Sequence, residues 1–432
     1  MMFIMKFINS IYFKFNQLFR RKGIFRRLGF FVVRGPLFNL LNLKFWLVSI
    51  STMKILDIER LKIDDSLDAT KEHIDKAINW ILINQNRQPD GGVPATISFY
   101  FGRIISSGSF PEVTGYIIKT LFDYAKVFDS LSAFESAIKA SEFELQFQNE
   151  NGSFPGGGVG SLKGPSVFNT GQIVHGLIRA YIETNDDKYL QSCIRACDWI
   201  IEVQRPDGAW NNYNYRNLAR TYDSKVSEPL LEVAKITNNI IYVNSATSNL
   251  DYILTNQKFN GWFYNCDNTV ENNNAPLLHL IGYTIDGLLN CYRLTGEDKY
   301  LKAAKIPLEK LMHKFEISKK PLPERLFSNW TSNSNCYCVT GLAQISLCWA
   351  VLYTINEDYR LLNAALKMND VLKTMQFNFG GPKILGSLPS SYPFWGDYNS
   401  YAINSWGVKY YIDSLIQEYQ IKMKLNEIDS LI

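Results

Sequence analysis

Trp199-Ile200-Ile201-Glu202-Val203-Gln204-Arg205-Pro206-Asp207-Gly208-Ala209-Trp210 is the stretch that decides the fold. It reads as the end of a helix: a ring, an amide five residues on, a Pro-Asp-Gly turn and a second ring. Five residues are about one and a half helical turns, so the ring packs on one side and the amide emerges at the helix end. A Gln there can hold carbonyls of the last turn that lack partners, and Gly can take the left-handed conformation that stops the helix. The same phrase recurs from Trp80 to Gln85 before Gly91-Gly92, from Phe143 to Gln148 before Gly152-Ser153-Phe154, and from Tyr252 to Gln257 before Gly261-Trp262. A weaker copy ends at Gln376 before Gly380-Gly381. The copies start about 50 to 60 residues apart, the spacing of a helical-hairpin array.

From about Leu67 onward the periodicity predicts helices almost throughout. Six end at or near a repeat Gln, over about 68–86, 131–148, 187–204, 244–257, 298–313 and 358–376. Six more lie between them, over about 111–127, 169–184, 223–237, 277–295, 335–355 and 402–420. Pro111 and Glu112 suit a first turn, Asn169-Thr170 a cap and Gly296 a helix end. Connections from the second set to the first are short, whereas those from the first set to the second are long and rich in Gly, Asn, Tyr and Trp. This asymmetry predicts an all-α (α/α)6 toroid, with one set of helices inside, the other outside, and every long loop on one face. An open solenoid of hairpins is the competing arrangement. The inner set reads apolar on nearly all sides, as buried helices do. Six inner-helix N-termini would then aim partial positive charge at one cavity, suited to an anionic or hydroxyl-rich ligand.

The chain has 432 residues, 46% apolar and 14% aromatic, ample for a large core. Residues 1–56 carry ten of the 45 basic residues and none of the 41 acidic ones, so the remainder nets −6. That body has no basic footprint for nucleic acid. Residues 1–56 are expected to form a basic apolar extension, either an interfacial helix on an anionic membrane or an arm packed on the body, with 57–432 as the toroid. No segment reads as a signal peptide or a membrane span. Seven cysteines without framework spacing suggest a reduced, cytoplasmic setting, peripheral at the inner membrane if the extension binds lipid. Cys336 and Cys338 lack a second pair, so no metal or cofactor is expected. Gly156-Gly157-Gly158 lacks a preceding strand and a following Gly-Lys-Ser/Thr, which argues against nucleotide binding.

The repeat resembles the QW motif of terpene cyclase and protein prenyltransferase toroids. That resemblance implies the α/α toroid but not the chemistry, because no Asp-x-Asp-Asp or Asp-Asp-x-x-Asp acid motif is expected and the prenyltransferase zinc ligands have no counterpart. Pro111-Glu112-Val113-Thr114-Gly115-Tyr116, Leu278-His279 with Tyr283 to Leu288, Thr340 to Gln344, Gly386 to Pro389 and Asn404 to Lys409 resemble a toroid family of bacterial surface-polysaccharide gene clusters. That family is similar in architecture to six-hairpin glycosidases, uronyl epimerases and polysaccharide lyases. The resemblance implies a polysaccharide or lipid-linked glycan as partner.

The loop around residues 211–223 concentrates Tyr213, Tyr215, Arg216, Arg220, Tyr222 and Asp223. Two Arg and three Tyr suit a uronate: Arg binds the carboxylate and acidifies the C5 proton, and Tyr or His removes it. The plain alternative is a packed rim with Arg220 paired to Asp223. His175 and His279, each near the start of an inner helix, are candidate bases, with a core role as the alternative. Glu112 is a candidate catalytic carboxylate whose pKa the helix dipole is expected to lower. Trp262, Trp395, Tyr398 and Trp406 are candidate sugar-stacking rings, against a role as core plugs. These residues point first to C5 epimerisation or β-elimination on a uronic-acid glycan. The alternatives are a glycoside hydrolase, which needs two facing carboxylates drawn from Glu112, Asp207, Asp223, Glu228, Asp267, Glu271 and Asp397, and a non-catalytic glycan-binding protein.

Overall fold

A computed structural model describes residues 42–429, apart from 54, 55, 57, 62, 101 and 102. Of the expected basic extension over residues 1–56, residues 1–41 lie outside the described residues. A short helix, α1 (Leu43–Ser51), precedes twelve that alternate between two concentric layers. The outer layer is α2 (Leu67–Gln85), α4 (Leu131–Leu145), α6 (Asp187–Glu202), α8 (Ile240–Thr255), α10 (Asp298–Ser318) and α12 (Tyr359–Met375). The inner layer is α3 (Pro111–Phe128), α5 (Val167–Thr184), α7 (Ser224–Thr237), α9 (Leu278–Thr295), α11 (Val339–Asn356) and α13 (Ser405–Asp429). Each inner helix packs on the next, and α13 packs back on α3 and α2, so the ring closes.

The hairpin turns share one construction. Asp129, Asn185, Asn238, Gly296 and Glu357 each end an inner helix in the left-handed region. The next residue caps the following outer helix, with side-chain acceptors at Ser130, Asp186, Asn239 and Asp358. Asn and Asp tolerate that backbone better than most L-residues, which makes a two-residue connection possible.

The repeat glutamines tie neighbouring hairpins together, and they do so differently from the expectation that they cap their own helix. Gln204 Nε2 donates to Gly208 O (2.9 Å) and to Ser245 O in the next outer helix (3.0 Å). Gln85 reaches Ser136 O, Gln148 reaches Ser192 O and Gln257 reaches Ala303 O in the same way. Gln376 donates to His73 O in α2, so the series runs from the last outer helix to the first. The glycine that follows is forced by this contact. At Gly208 φ is +85°, and a Cβ would stand 2.2 Å from Ser248 O. Inside the ring, Gly115 and Gly176 bring α3 and α5 together; a Cβ on Gly176 would lie 1.9 Å from Gly115 O.

Two small sheets, absent from the helical expectation, fasten the loop face. β1 (Thr96–Tyr100) pairs antiparallel with β2 (Arg103–Ser106) and with β5 (Ala402–Asn404), joining the first long loop to the last. β3 (Tyr337–Cys338) pairs with β4 (Ser391–Tyr392). Helix α1 packs on this seam through Phe45, whose ring lies 6.0 Å from Phe99 and 5.4 Å from Tyr401. Helix α11 is uncharged over its 18 residues, long and apolar enough to cross a membrane by composition, contrary to the sequence expectation; it is an inner helix and mostly buried. One Asp-Asp-x-x-Asp spacing, Asp64-Asp65-Ser66-Leu67-Asp68, does occur. It caps the exposed start of α2, with Ser66 Oγ accepting from Ala69 N at 3.2 Å.

Candidate active site

The long connections meet over the inner-helix N-termini around a cavity of about 1200 Å3. Residues at the tops of inner helices line it, so depth follows sequence position. Glu112, His279 and Trp406 are each the second residue of their helices, α3, α9 and α13. Tyr116 and Tyr283 stand one turn deeper.

Glu112 is half-buried and has no hydrogen-bond or ion-pair partner among the described residues. Burial pushes its pKa up to about 7. This reverses the expected dipole-driven lowering, because loss of hydration outweighs the helix terminus. Its charge bears on the hydroxyls of Tyr116, Tyr222 and Tyr283, which burial, the largest cause, keeps well above the ordinary tyrosine range. The centre therefore combines one readily protonated carboxyl with several neutral phenols.

His279 Nδ1 donates to Gln344 Oε1 (3.0 Å); since an amide oxygen only accepts, Nδ1 carries the proton and Nε2 is left as an acceptor. Burial lowers the His279 pKa to about 4. Its ring lies 4.4 Å from that of Tyr283 and 5.5 Å from that of Tyr398. Trp406 Nε1 donates to Tyr398 Oη at 2.6 Å, and Phe168 packs edge-on against Tyr222. On the rim, Tyr213 and Tyr215 are exposed, and Arg216 pairs with Glu271 at 3.1 Å. Lys163 and the stretch Gly156-Gly157-Gly158 complete one wall.

Several expected site residues stand elsewhere. Arg220 is 1% exposed and lies behind the wall, where its charge acts on Asp223. Asp223 is buried, accepts from Asn214 Nδ2 at 2.7 Å, and is pushed up to about 8 chiefly by burial. Neither lines the cavity, because the turn Thr221–Asp223 directs both into the packing beneath it. Trp262 is buried as a core plug, its Nε1 donating to Leu326 O at 3.2 Å. Trp395 is half-buried against the core and does not reach the cavity.

His175 faces the opposite end of the lumen. It is the ninth residue of α5, about 12 Å down the axis at 1.5 Å per residue, too deep for the mouth. There a second cavity of about 840 Å3 is lined by Lys119, Asp123, Lys225, Glu228, Asp286 and Lys409 among others. The inner helices are thus not apolar all round, as expected, but carry an ionic stripe. Lys225 Nζ lies 2.5 Å from Glu228 Oε2 and 2.8 Å from Asp286 Oδ2, and Lys409 Nζ lies 2.6 Å from Asp413 Oδ2. Lys409 also stands over the Tyr410 ring at 3.9 Å, beneath the tyrosines of the mouth.

Of the carboxylates considered for a two-carboxylate hydrolase, only Glu112 lines the mouth. Asp267 is buried against Arg325 at 3.0 Å, Glu271 is taken by Arg216, Asp207 pairs with Arg205 in its turn, and Asp397 is exposed. Tyr116, Tyr283, Phe168 and Gln344 were not assigned roles from sequence. The signal that could have found the tyrosines is their four-residue spacing from Glu112 and His279.

No protein-family model matches the chain, and no curated protein does. Solved structures do. An unsaturated glucuronyl hydrolase specific for heparin aligns with TM-score 0.64 at 13% identity, covering 83% of this chain and 99% of that one. The enzyme of that name from Streptococcus agalactiae, in an Asn-for-Asp mutant complexed with dGlcA-GalNAc6S, aligns at 0.63 with 14% identity over 85% and 96%. Another, from Bacillus sp. GL1 and described as responsible for the degradation of glycosaminoglycan, aligns at 0.63 with 13% identity over 80% and 96%. These comparisons lend nothing to the cyclase-like reading of the repeat. The chain has the (α/α)6 toroid fold of the unsaturated glucuronyl hydrolases.

Proposed function

We propose that this chain is a glycoside hydrolase of uronic-acid glycans, and that its substrate carries a 4,5-unsaturated uronyl residue at the non-reducing end. The observation that carries the reading is Glu112: among the described residues it is the one carboxyl lining the mouth and has no ion-pair partner, and its pKa is about 7. Ordinary glycoside hydrolysis uses two facing carboxyls. An unsaturated uronide needs only one, because it is an enol ether. Glu112 in its acid form donates a proton to C4, and the positive charge left at C5 is shared with the ring oxygen. The Glu112 carboxylate then takes a proton from water as its oxygen bonds to C5. The resulting hemiketal opens to a C5 ketone, and the hemiacetal at C1 releases the rest of the glycan as an alcohol. One water is consumed and Glu112 regains its proton.

The surroundings support this use. The neutral phenols of Tyr116, Tyr222 and Tyr283 can donate hydrogen bonds to the uronate. Arg216 and Lys163 give the rim positive charge, and the inner-helix N-termini add to it. His279 Nε2 can accept from a sugar hydroxyl, and Trp406 and Tyr398 offer ring faces. The solved neighbours, enzymes named for unsaturated glucuronyl substrates, point the same way. Of the two arginines expected to bind the carboxylate for epimerisation or elimination, Arg216 lines the cavity and Arg220 does not reach it. A panel of unsaturated disaccharides and intact uronate polymers tests the assignment. Loss of the ultraviolet absorbance of the conjugated double bond supports hydrolysis. A gain of that absorbance on intact polymer, or C5 deuteration without cleavage, replaces it with elimination or epimerisation.

A further inference from the structure

The far end of the lumen holds donor groups that the proposed hydrolysis does not use. Glu228 and Glu232 are one turn apart on α7 and so share a face, and His175 of α5 meets that face. His175 Nδ1 lies 3.0 Å from Glu232 Oε2 and 3.9 Å from Glu228 Oε1. One ligand atom from each residue falls within 4.8 Å of the others. We propose that His175, Glu228 and Glu232 bind a divalent transition-metal ion, of the zinc or manganese type, between α5 and α7.

Three features beyond proximity point to a cation. The first is orientation. Lys225 Nζ holds Glu228 Oε2 at 2.5 Å, which leaves Oε1 as the atom turned toward His175. Such an outer contact fixes a ligand carboxylate in place. The second is charge. Lys225 is also paired with Asp286 at 2.8 Å, and neighbouring Lys119 and Arg179 hold Asp123 at 2.5 and 2.8 Å. Arg179 also pairs with Glu183 at 2.7 Å, and Lys409 with Asp413 at 2.6 Å. Glu232, by contrast, has no Lys or Arg in ion-pair contact among the described residues, so a cation there would not displace an existing one. The third is access. The Glu232 side chain is 24% exposed, and the group opens on the second cavity, so water can complete the shell. One imidazole and two carboxylates with an open position favour zinc, manganese, cobalt or nickel over calcium or magnesium. Because the site is at the opposite end from Glu112, it would pin the ring rather than join the chemistry.

The test uses the full chain, stripped with a chelator and titrated with ZnCl2 by calorimetry, with circular dichroism confirming the fold of each variant. Binding near one equivalent is expected. Glu232→Gln and His175→Ala should each weaken it about 100-fold, while Cys336→Ser leaves it unchanged. The cobalt form should lack a thiolate charge-transfer band. No binding would mean that His175 and Glu232 form only an ion pair. Binding that survives Glu232→Gln, or is lost in Cys336→Ser, would place the metal elsewhere and overturn the assignment. None of these results depends on hydrolase activity.

Discussion

Replacing Glu112 with Gln should remove activity and at the same time stabilise the fold. In the folded state its pKa is about 7, against 4.5 for the ordinary carboxyl. The folded-state pKa is raised, so the carboxyl contributes stability below about pH 4.5 that is lost as pH rises through about 7. A difference of two to three pKa units corresponds to about 3 kcal/mol. Because the side chain is only half-buried, solvent screening trims this to about 2 to 3 kcal/mol. Gln has the same shape and no charge, so Glu112→Gln should be more stable than the parent by that amount at pH 8. At about 2 cal/mol/K per residue the unfolding entropy of a chain this long makes this a rise of about 2 to 3 °C in Tm. The gain should fade toward pH 4. Calorimetry at pH 4 and pH 8 reads the stability, and decay of an unsaturated disaccharide reads the rate, which should fall about 100- to 10,000-fold. Activity of the parent should also fall as pH rises through about 7, when the acid form is lost. A variant that is no more stable at pH 8, or that keeps its rate, refutes the assignment of Glu112 as a desolvated acid.

His279, with a pKa near 4, should show no titration between pH 5 and 8 by NMR; its depressed value costs stability as pH falls from about 6.5 to 4, and His279→Phe should abolish that part of the acid sensitivity. Gln204→Ala removes the bonds to Gly208 O and Ser245 O and should cost about 2 to 4 kcal/mol in urea unfolding, with kcat and KM unchanged in the folded fraction. Arg216→Ala should raise KM about ten-fold without loss of stability, whereas Arg220→Ala should lower stability by about 3 kcal/mol by emptying the buried space that Arg220 fills; the reverse pattern would make Arg220 the carboxylate-binding arginine. We propose a peripheral contact with anionic membranes from the ten cations of residues 1–56 and from exposed Leu43, Leu47 and Ile50 on α1. Removing residues 1–41 should shift the protein from vesicles to the supernatant in co-sedimentation, and unchanged partitioning counts against the contact.

The helical hairpins were legible because each layer repeats its own signal. Apolar periodicity marks the helices, and Gln followed by Gly marks where outer helices stop. The observed inner helices at Pro111–Phe128 and Leu278–Thr295 fall within a residue of the expected ones. What the glutamines hold was not legible, since the partner of Gln204 is a backbone carbonyl at Ser245, and carbonyls carry no residue signature. Strands of two to five residues are too short to show alternation, so the seam joining Thr96 to Asn404 passed unseen. In the site, the second position of an inner helix proved a good guide to the mouth, as Glu112 and His279 show. The error at His175 was one of depth, because an inner helix is long enough to carry one face into both cavities. Arg220 and Trp262 show the other limit. Arg and Trp in a Tyr- and Asn-rich loop look alike whether they line a cavity or plug the wall behind it, and only packing distinguishes them.

Carrying out the cleavage of an unsaturated uronyl disaccharide in deuterated water tests the central claim most directly. Protonation by Glu112 predicts one deuterium at C4 of an open-chain 5-keto product, alongside the released sugar, and neither with Glu112→Gln. Deuterium at C5 of a closed-ring uronate, or an untouched substrate with the parent protein across the panel, would contradict it.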